Sequence, residues 1–253
     1  MGKSNKKKKI AYLTIDDGPS EDMRMKVDYL YSKKIPAVWF CQGNFLEKRP
    51  ELAVYAIKKG FIIGNHSYNH PYFSQIKLDE CFVQILKTDK IINHIYHRAG
   101  IKRSVKFFRF PCGDKGGMKH ADVFSGYSNS GQARKDRIQE YLKQLGYSQP
   151  SFKNITYKYY RKAGLLSDVD WHWTYDVMEW GIYFRPHPFG INSLGKVFAR
   201  MEENKPEGCR GLNDSKSAEI ILLHDFSQSS DILIPIVERL LAKGIEFKSP
   251  LIR

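Results

Sequence analysis

The chain of 253 residues contains no apolar run near the roughly 20 residues that a membrane-spanning helix needs. It has only four cysteines, with no Cys-x-x-Cys pair, which argues against a zinc ribbon or a disulfide scaffold. The signatures of common nucleic-acid modules are missing too, so no nucleic-acid partner is expected. We predict that most of the cysteines are small core residues: Cys41, Cys81, Cys112 and Cys209.

Positive charge is abundant and is spread along the chain, giving a net charge of +14. Such a balance suits a solvated surface, and it would also favour an anionic polymer such as a cell-wall glycan. Residues 1–9 are predicted to be a basic, flexible N-terminus. The apolar stretch after Lys9 has only about six residues, too few for a signal peptide. We therefore expect a cytoplasmic protein, or one of the cell envelope or exterior if a longer precursor exists.

Short apolar runs alternate with segments of helical periodicity along most of the sequence. Strands are predicted for the runs Ile10–Leu13, Ala37–Cys41, Phe61–Ile63, Val105–Phe108, Trp171–Tyr175 and Glu219–Leu223. Alternation of this kind indicates βα units and a parallel sheet. We expect one α/β domain over residues 1–253, folded as a single (β/α) barrel, with an open doubly wound sheet as the alternative.

One long segment, residues 113–136, interrupts this pattern. It is rich in glycine, serine and charge and has no apolar period, so a long loop is predicted. Helical periodicity resumes at Arg137 and continues to Leu145. The loop is either a lid over a binding groove or an irregular surface segment.

Polar side chains follow several predicted strands. Asp16 and Asp17 come directly after the first strand, where a Gly-Pro turn begins, and His66 and His70 follow the third. Two imidazoles four positions apart in a helical turn lie on one face, close enough to share a metal ion. The carboxyl ends of parallel strands meet on one face of a barrel. Two histidines and a carboxylate there would hold a divalent ion such as zinc, leaving the second carboxylate free as a base.

Three further polar residues occupy the same topological place. Arg109, Asp176 and His224 each follow a predicted strand. Taken singly, Arg109 could be a surface ion pair and His224 a core histidine. Polar clusters at five strand ends together predict an active site.

The sequences TIDDG, HSYNH, RFP, DVMEW and LLH occur in this order between Thr14 and His224. The set resembles the motifs of the polysaccharide deacetylase family, also called the NodB homology domain or carbohydrate esterase family 4. The resemblance implies a distorted, TIM-like (β/α) barrel of about seven strands. The spacing between the third and fourth motifs, from Arg109 to Asp176, is unusually long for the family and indicates a long insertion there. It also implies a metal-dependent removal of acetyl groups, usually from N-acetylglucosamine units.

Matching the motifs position by position assigns the metal and the base. Asp17, His66 and His70 would bind one divalent metal ion, with zinc expected and cobalt or manganese also compatible. Asp16 would be the general base, and Arg109 would pair with it.

The remaining roles implied by the resemblance concern the acid and the groove. Asp176 would hold and tune His224, the general acid. Trp180 and Leu222 would line the groove for the sugar and the acetyl methyl group. Cys112 stands where the family often has tyrosine, and its backbone N–H would face the developing oxyanion.

The fourth motif departs from the family pattern. Glu179 replaces the second aspartate of the fourth motif, and residues 168–171 offer a competing match whose spacing is one residue short.

The preferred substrate is an acetylated glycan, either peptidoglycan or a chitin-like polymer or oligosaccharide. The alternatives are an O-acetyl ester hydrolase on a decorated glycan and a non-catalytic glycan or polyanion binder with the same fold.

Overall fold

The computed structural model describes residues 8–117, 126–206 and 211–250. Their strands are β1 (Lys9–Asp16), β2 (Ala37–Cys41), β3 (Ile62–Asn65), β4 (Tyr175–Asp176), β5 (Glu219–His224) and β6 (Ile245–Phe247). Their α-helices are α1 (Met23–Ser32), α2 (Gly43–Lys48), α3 (Pro50–Lys58), α4 (Leu78–Ala99), α5 (Asn129–Gln144), α6 (Lys158–Lys162), α7 (Leu194–Met201) and α8 (Ser230–Ala242).

The strands form one sheet in which every pairing is parallel. The order is β3-β2-β1-β5-β4, and β6 pairs with the start of β1. The predicted parallel α/β fold is therefore confirmed. A closed barrel of about seven strands is not: within the described ranges the sheet has six strands, and its order ends at β3 and β4.

Strand β1 lies at the centre of the sheet. Its apolar side chains are buried on one face, and on the other face Ile10 and Tyr12 are half-buried against a second apolar cluster. Leu13 and Ile15 pack into the core with helices α1, α3 and α8. The register pairs Asp16 at the end of β1 with His224 at the end of β5. On the other side Cys41 pairs with Asn65, which places His66 just beyond the same edge. The pairing thus collects the polar strand ends at one place.

Two predicted strands are shorter than expected. The segment 105–108 makes only an isolated bridge between Phe108 and Asn65, and in the segment 171–175 only Tyr175 begins a strand. Aromatic packing replaces the ladder here, since Phe107 and Trp171 lie 4.5 Å apart between ring centroids. A single hydrogen bond from the Trp171 N–H to the Phe108 carbonyl joins the two segments.

The prediction of a loop over residues 113–136 is wrong for its last part. Helix α5 begins at Asn129 instead of Arg137, and the Ser128 hydroxyl accepts the Gly131 N–H at its start. Polar contacts hold this turn: Arg134 donates to the Phe73 and Gly116 carbonyls, which explains why no apolar period reveals it. Residues 118–125 lie outside the described ranges.

The predicted flexible N-terminus also ends earlier than expected. Lys9 is the first residue of β1, is buried, and pairs with the buried Glu219 at 2.8 Å. Residues 1–7 lie outside the described ranges.

The predicted core placement of cysteines holds for Cys41 and Cys81, which are buried, whereas Cys112 is exposed. Cys209 lies outside the described ranges. No helix in those ranges combines the length and apolarity needed to cross a membrane.

Candidate active site

Asp17, His66 and His70 converge beyond the ends of β1 and β3. Asp17 Oδ1 lies 3.3 Å from His70 Nε2 and 3.6 Å from His66 Nε2, and the three possible ligand atoms lie within 4.8 Å of one another. His66 Nδ1 donates to the Arg109 carbonyl at 2.9 Å, which leaves the Nε2 lone pair facing Asp17. Burial lowers the pKa of His66 to about 3, so this imidazole is neutral. The donor set fits a divalent ion such as zinc.

The segment from His66 to His70 is not the helical turn that its spacing predicted. Ser67 and His70 have φ values of 63° and 61°, in the left-handed region. Such a backbone costs about 1–2 kcal/mol for each non-glycine residue. Hydrogen bonds offset this cost, because the Ser67 N–H donates to Asn65 and the His70 N–H donates to the Ser67 hydroxyl. The two imidazole rings still meet, 5.0 Å apart between centroids.

Arg109 is fully buried and fixes the orientation of Asp16. Its Nη1 donates to Asp16 Oδ1 at 2.9 Å and to the Thr14 hydroxyl at 2.7 Å, and its Nε donates to the Trp171 carbonyl. The other Asp16 oxygen, Oδ2, faces His66 Nε2 at 3.7 Å. Burial raises the pKa of Asp16, while the Arg109 charge opposes that rise. Asp16 therefore has one oxygen held by Arg109 and one that faces the candidate metal ligand His66.

The carboxylate that contacts the His224 ring is Glu179, not Asp176 as the motif match implied. Glu179 Oε1 lies 3.1 Å from His224 Nδ1 and accepts the His224 backbone N–H at 2.5 Å. The Asp176 oxygens instead accept the Met178 N–H at 2.8 Å and the Trp180 indole N–H at 3.1 Å. Met178 has a left-handed φ of 65°, which turns the chain so that the next side chain, Glu179, lies beneath His224.

The contact with Glu179 determines the charge of His224. Burial by itself lowers the pKa of His224, but the charge and hydrogen bond of Glu179 outweigh it and raise the pKa to about 10. The ring of Phe226 lies parallel to the imidazole, 5.5 Å away. His224 is thus a cation at neutral pH that keeps a proton on Nε2 for donation.

Replacing Glu179 with glutamine is expected to lower the pKa of His224, because burial is then no longer opposed by a contacting charge. If His224 acts as an acid, the basic limb of the kcat profile moves down by about 1–3 pH units. Asp176→Asn is the matched control and should move the limb less, since Asp176 does not contact the ring nitrogen. If the basic limb moved further in Asp176→Asn than in Glu179→Gln, Asp176 would be the carboxylate that raises the pKa of His224.

These residues surround a cleft of about 350 Å³. Leu222, Trp180 and Cys112, all predicted for the groove, line it. Sequence reasoning missed four other aromatic residues in its lining: Tyr72, Trp173, Phe184 and Phe226. Each lies within a few residues of a motif, and that proximity was the only sequence signal for them.

The competing match at residues 168–171 has a different place in the molecule. Asp168 and Asp170 accept from the buried ammonium of Lys115, at 2.7 and 3.0 Å. Neither is among the described residues that line the cleft. The structure therefore favours the match at Asp176 and Glu179.

A buried lysine on α1 joins the loops that follow β1 and β5. Lys26 Nζ donates to Asp225 Oδ1 at 2.5 Å and to the Phe226 carbonyl and the Ser229 hydroxyl at 2.8 Å each. Asp225 also accepts the Ser20 backbone N–H at 2.8 Å. This network holds the loop of the candidate base against the loop of the candidate acid.

Lys26→Met is expected to destabilise the fold by about 3–5 kcal/mol, because it leaves the buried Asp225 carboxylate without its cation. Urea unfolding measures the change. Lys33→Met is the matched control, since Lys33 pairs with Glu238 in water and its loss should cost less than about 1 kcal/mol. Equal losses in the two variants would show that the Lys26 network does not stabilise the loops.

Comparison with known proteins shows similarity to one protein family. A sequence model described as "Polysaccharide deacetylase" matches residues 3–150, more than half of the chain. A peptidoglycan-N-acetylglucosamine deacetylase of Bacillus cereus is 37% identical over 103 residues, which are 40% of this chain and 36% of that protein. The chain matches 19–36% of the length of the first curated relatives.

Solved structures share the fold over nearly the whole chain. The peptidoglycan deacetylase PdaC of Bacillus subtilis has a TM-score of 0.57 at 20% identity, covering 95% of this chain and 87% of its own. A carbohydrate esterase family 4 pseudoenzyme of Bacillus anthracis has a TM-score of 0.59 at 17% identity, covering 96% of this chain and 63% of its own. At these identities the likeness shows the fold alone.

Proposed function

The chain belongs to the polysaccharide deacetylase family, and from this premise we propose that it is a metal-dependent hydrolase of N-acetyl groups on N-acetylhexosamine units of a glycan. One observation carries the proposal: a triad able to hold a metal ion, a held carboxylate and a charged imidazole line one cleft. The Bacillus cereus relative is named for peptidoglycan N-acetylglucosamine, which favours peptidoglycan as the glycan.

Asp17, His66 and His70 would hold the divalent ion, and zinc suits two imidazoles and one carboxylate best. Gln42 keeps Asp17 in place, since its side-chain amide donates to Asp17 Oδ1 at 2.9 Å. When bound, the ion would polarise the amide carbonyl and lower the pKa of water. Cobalt or manganese could occupy the same ligands.

Asp16 acts as the general base. It takes a proton from the attacking water on Oδ2, the oxygen that faces His66. Arg109 holds Oδ1 throughout, so the carboxylate does not rotate away. Burial raises the pKa of Asp16, which makes this carboxylate a better proton acceptor than an exposed aspartate.

His224 acts as the general acid. An amine is a poor leaving group unless its nitrogen is protonated, and His224 Nε2 supplies that proton as the C–N bond breaks. Glu179 stabilises the cation before the transfer. The two catalytic groups thus start in opposite protonation states, as hydrolysis of an amide requires.

The cleft walls position the substrate. Leu222 packs against the acetyl methyl group, and Trp180, oriented by Asp176, contacts the sugar. Cys112 has a left-handed φ of 53°, and its backbone N–H donates to the oxyanion that forms on the amide carbonyl.

Acetate release from peptidoglycan, chitin oligomers and acetylated xylan, with and without added metal, tests the proposal. We expect release from an N-acetylated glycan and a large loss of kcat in His224→Ala. Near-normal turnover of an O-acetyl ester by His224→Ala would favour an esterase, since an alkoxide leaves with less need of a proton. Absence of release, with glycan binding that survives chelation, would favour a non-catalytic binder.

A further inference from the structure

A buried network of hydrogen bonds lies behind the segment that carries the two candidate metal-binding histidines. It joins the side chains of Asn65 at the end of β3, Asp89 on α4 and Tyr147 after α5. All three are at most 4% exposed. None of them lines the cleft as described, and none takes part in the proposed proton transfers. The polarity of this network therefore needs a separate explanation.

Asp89 is the fixed end of the network. Arg103 Nη1 donates to Asp89 Oδ1 at 2.7 Å, and Lys106 Nζ donates to Oδ2 at 3.0 Å. Burial alone would raise the pKa of Asp89, but the charge of Arg103 and the hydrogen bond from Tyr147 help to outweigh it and lower the pKa. A carboxylate can only accept hydrogen bonds. The Tyr147 hydroxyl, 2.8 Å from Asp89 Oδ1, must therefore donate its proton to Asp89.

The direction of this bond sets the orientation of the Asn65 amide. Because the Tyr147 oxygen has donated its proton, it acts as an acceptor towards Asn65 Nδ2, at 2.7 Å. The Ile85 carbonyl accepts from the same Nδ2 at 3.0 Å. The Asn65 carbonyl oxygen is thereby turned towards the Ser67 N–H, which it accepts at 2.9 Å. A rotated amide would instead place an NH₂ group against that N–H.

Ser67 is the point at which the network reaches the candidate metal site. Its left-handed φ of 63° lies within the turn that brings the His66 and His70 rings together, and its hydroxyl accepts the His70 N–H. A turn with two left-handed residues other than glycine is costly to form. Hydrogen bonds that form this turn before the ion arrives reduce the entropy cost of binding the ion.

We infer that Tyr147 and Asp89 are positioning residues for the divalent ion. They fix the Asn65 amide, and this amide holds the turn that brings His66 and His70 together. The inference rests on the metal site of the proposed function. Loss of the network should weaken metal binding although every proposed ligand is still present, since groups that orient metal ligands contribute about 10- to 100-fold to affinity.

The zinc affinity of Tyr147→Phe, measured by competition with a chromogenic chelator, tests the inference. We expect the Kd for zinc to rise about tenfold. Phenylalanine keeps the ring that packs on Phe108, and Asp89 keeps both of its cations, so the fold should survive. Tyr96→Phe is the matched control. It removes another buried hydroxyl that contacts β3, where it accepts the Ile63 N–H at 3.2 Å, and it should leave the Kd unchanged.

The visible absorption spectrum of the cobalt-loaded protein gives a second readout, because it reports the geometry of the ligands and not the stability of the fold. The bands should change in Tyr147→Phe and stay the same in Tyr96→Phe. An unchanged Kd for zinc in Tyr147→Phe, or an equal rise in both variants, would overturn the positioning role while leaving the proposed function intact. Failure of the unchanged protein to bind zinc, cobalt or manganese would instead overturn the proposed metal-dependent function.

Discussion

Replacing Asp16 with asparagine is expected to lower kcat for acetate release by about 10²–10⁴-fold while the protein keeps its metal. Asparagine retains an oxygen that can accept from Arg109 Nη1, so the buried guanidinium keeps a partner. It cannot take a proton from water, since a neutral amide is a very weak base. The proposed metal ligands Asp17, His66 and His70 are unchanged.

The measurement pairs acetate release with elemental analysis of the purified variant. Asp28→Asn serves as the control, because it removes an exposed carboxylate on α1 that is not among the described residues lining the cleft, and it should retain full activity. An Asp16→Asn variant with normal metal content and normal kcat would show that another group accepts the proton.

Removal of one proposed metal ligand is the second substitution that is expected to abolish acetate release. His70→Ala should weaken zinc binding by more than about 100-fold, because loss of a direct ligand costs more than loss of the groups that orient ligands. Acetate release should fall to background at metal concentrations that saturate the unchanged protein. His70 is the ligand to vary because its side chain is 29% exposed, so the fold should survive.

Zinc affinity by competition with a chromogenic chelator checks this result. His94→Ala, which removes an exposed histidine on α4, should bind zinc as the unchanged protein does. Undiminished affinity in His70→Ala would mean that the ion is held elsewhere.

Much of the site was predictable because parallel pairing converts strand ends into neighbours. Asp16 and His224 lie far apart in sequence, yet their register places them side by side at one edge of the sheet. Once the buried strands are predicted from their apolar runs, the polar residues that follow them are therefore predicted to lie close together. The sequence pattern alone could not tell which of Asp176 and Glu179 contacts His224. That choice depends on the left-handed backbone at Met178, a conformation that this residue type does not signal.

The fold was less predictable where aromatic packing replaces hydrogen-bonded pairing. Phe107 and Phe108 have strand-like composition, but their segment contacts Trp171 through ring packing and one backbone hydrogen bond. The start of α5 could not be predicted for a different reason. Its first turns are held by Ser128 and Arg134, and polar residues leave no apolar period to detect.

Metal-dependent deacetylation is tested most directly by measuring acetate release from N-acetylglucosamine oligomers in one purified sample before metal removal, after it, and after metal is added back. We expect release by the metal-loaded protein, loss after chelation and dialysis, and recovery when zinc is added and binds to Asp17, His66 and His70. Release that continues unchanged in verified metal-free protein would contradict this metal dependence.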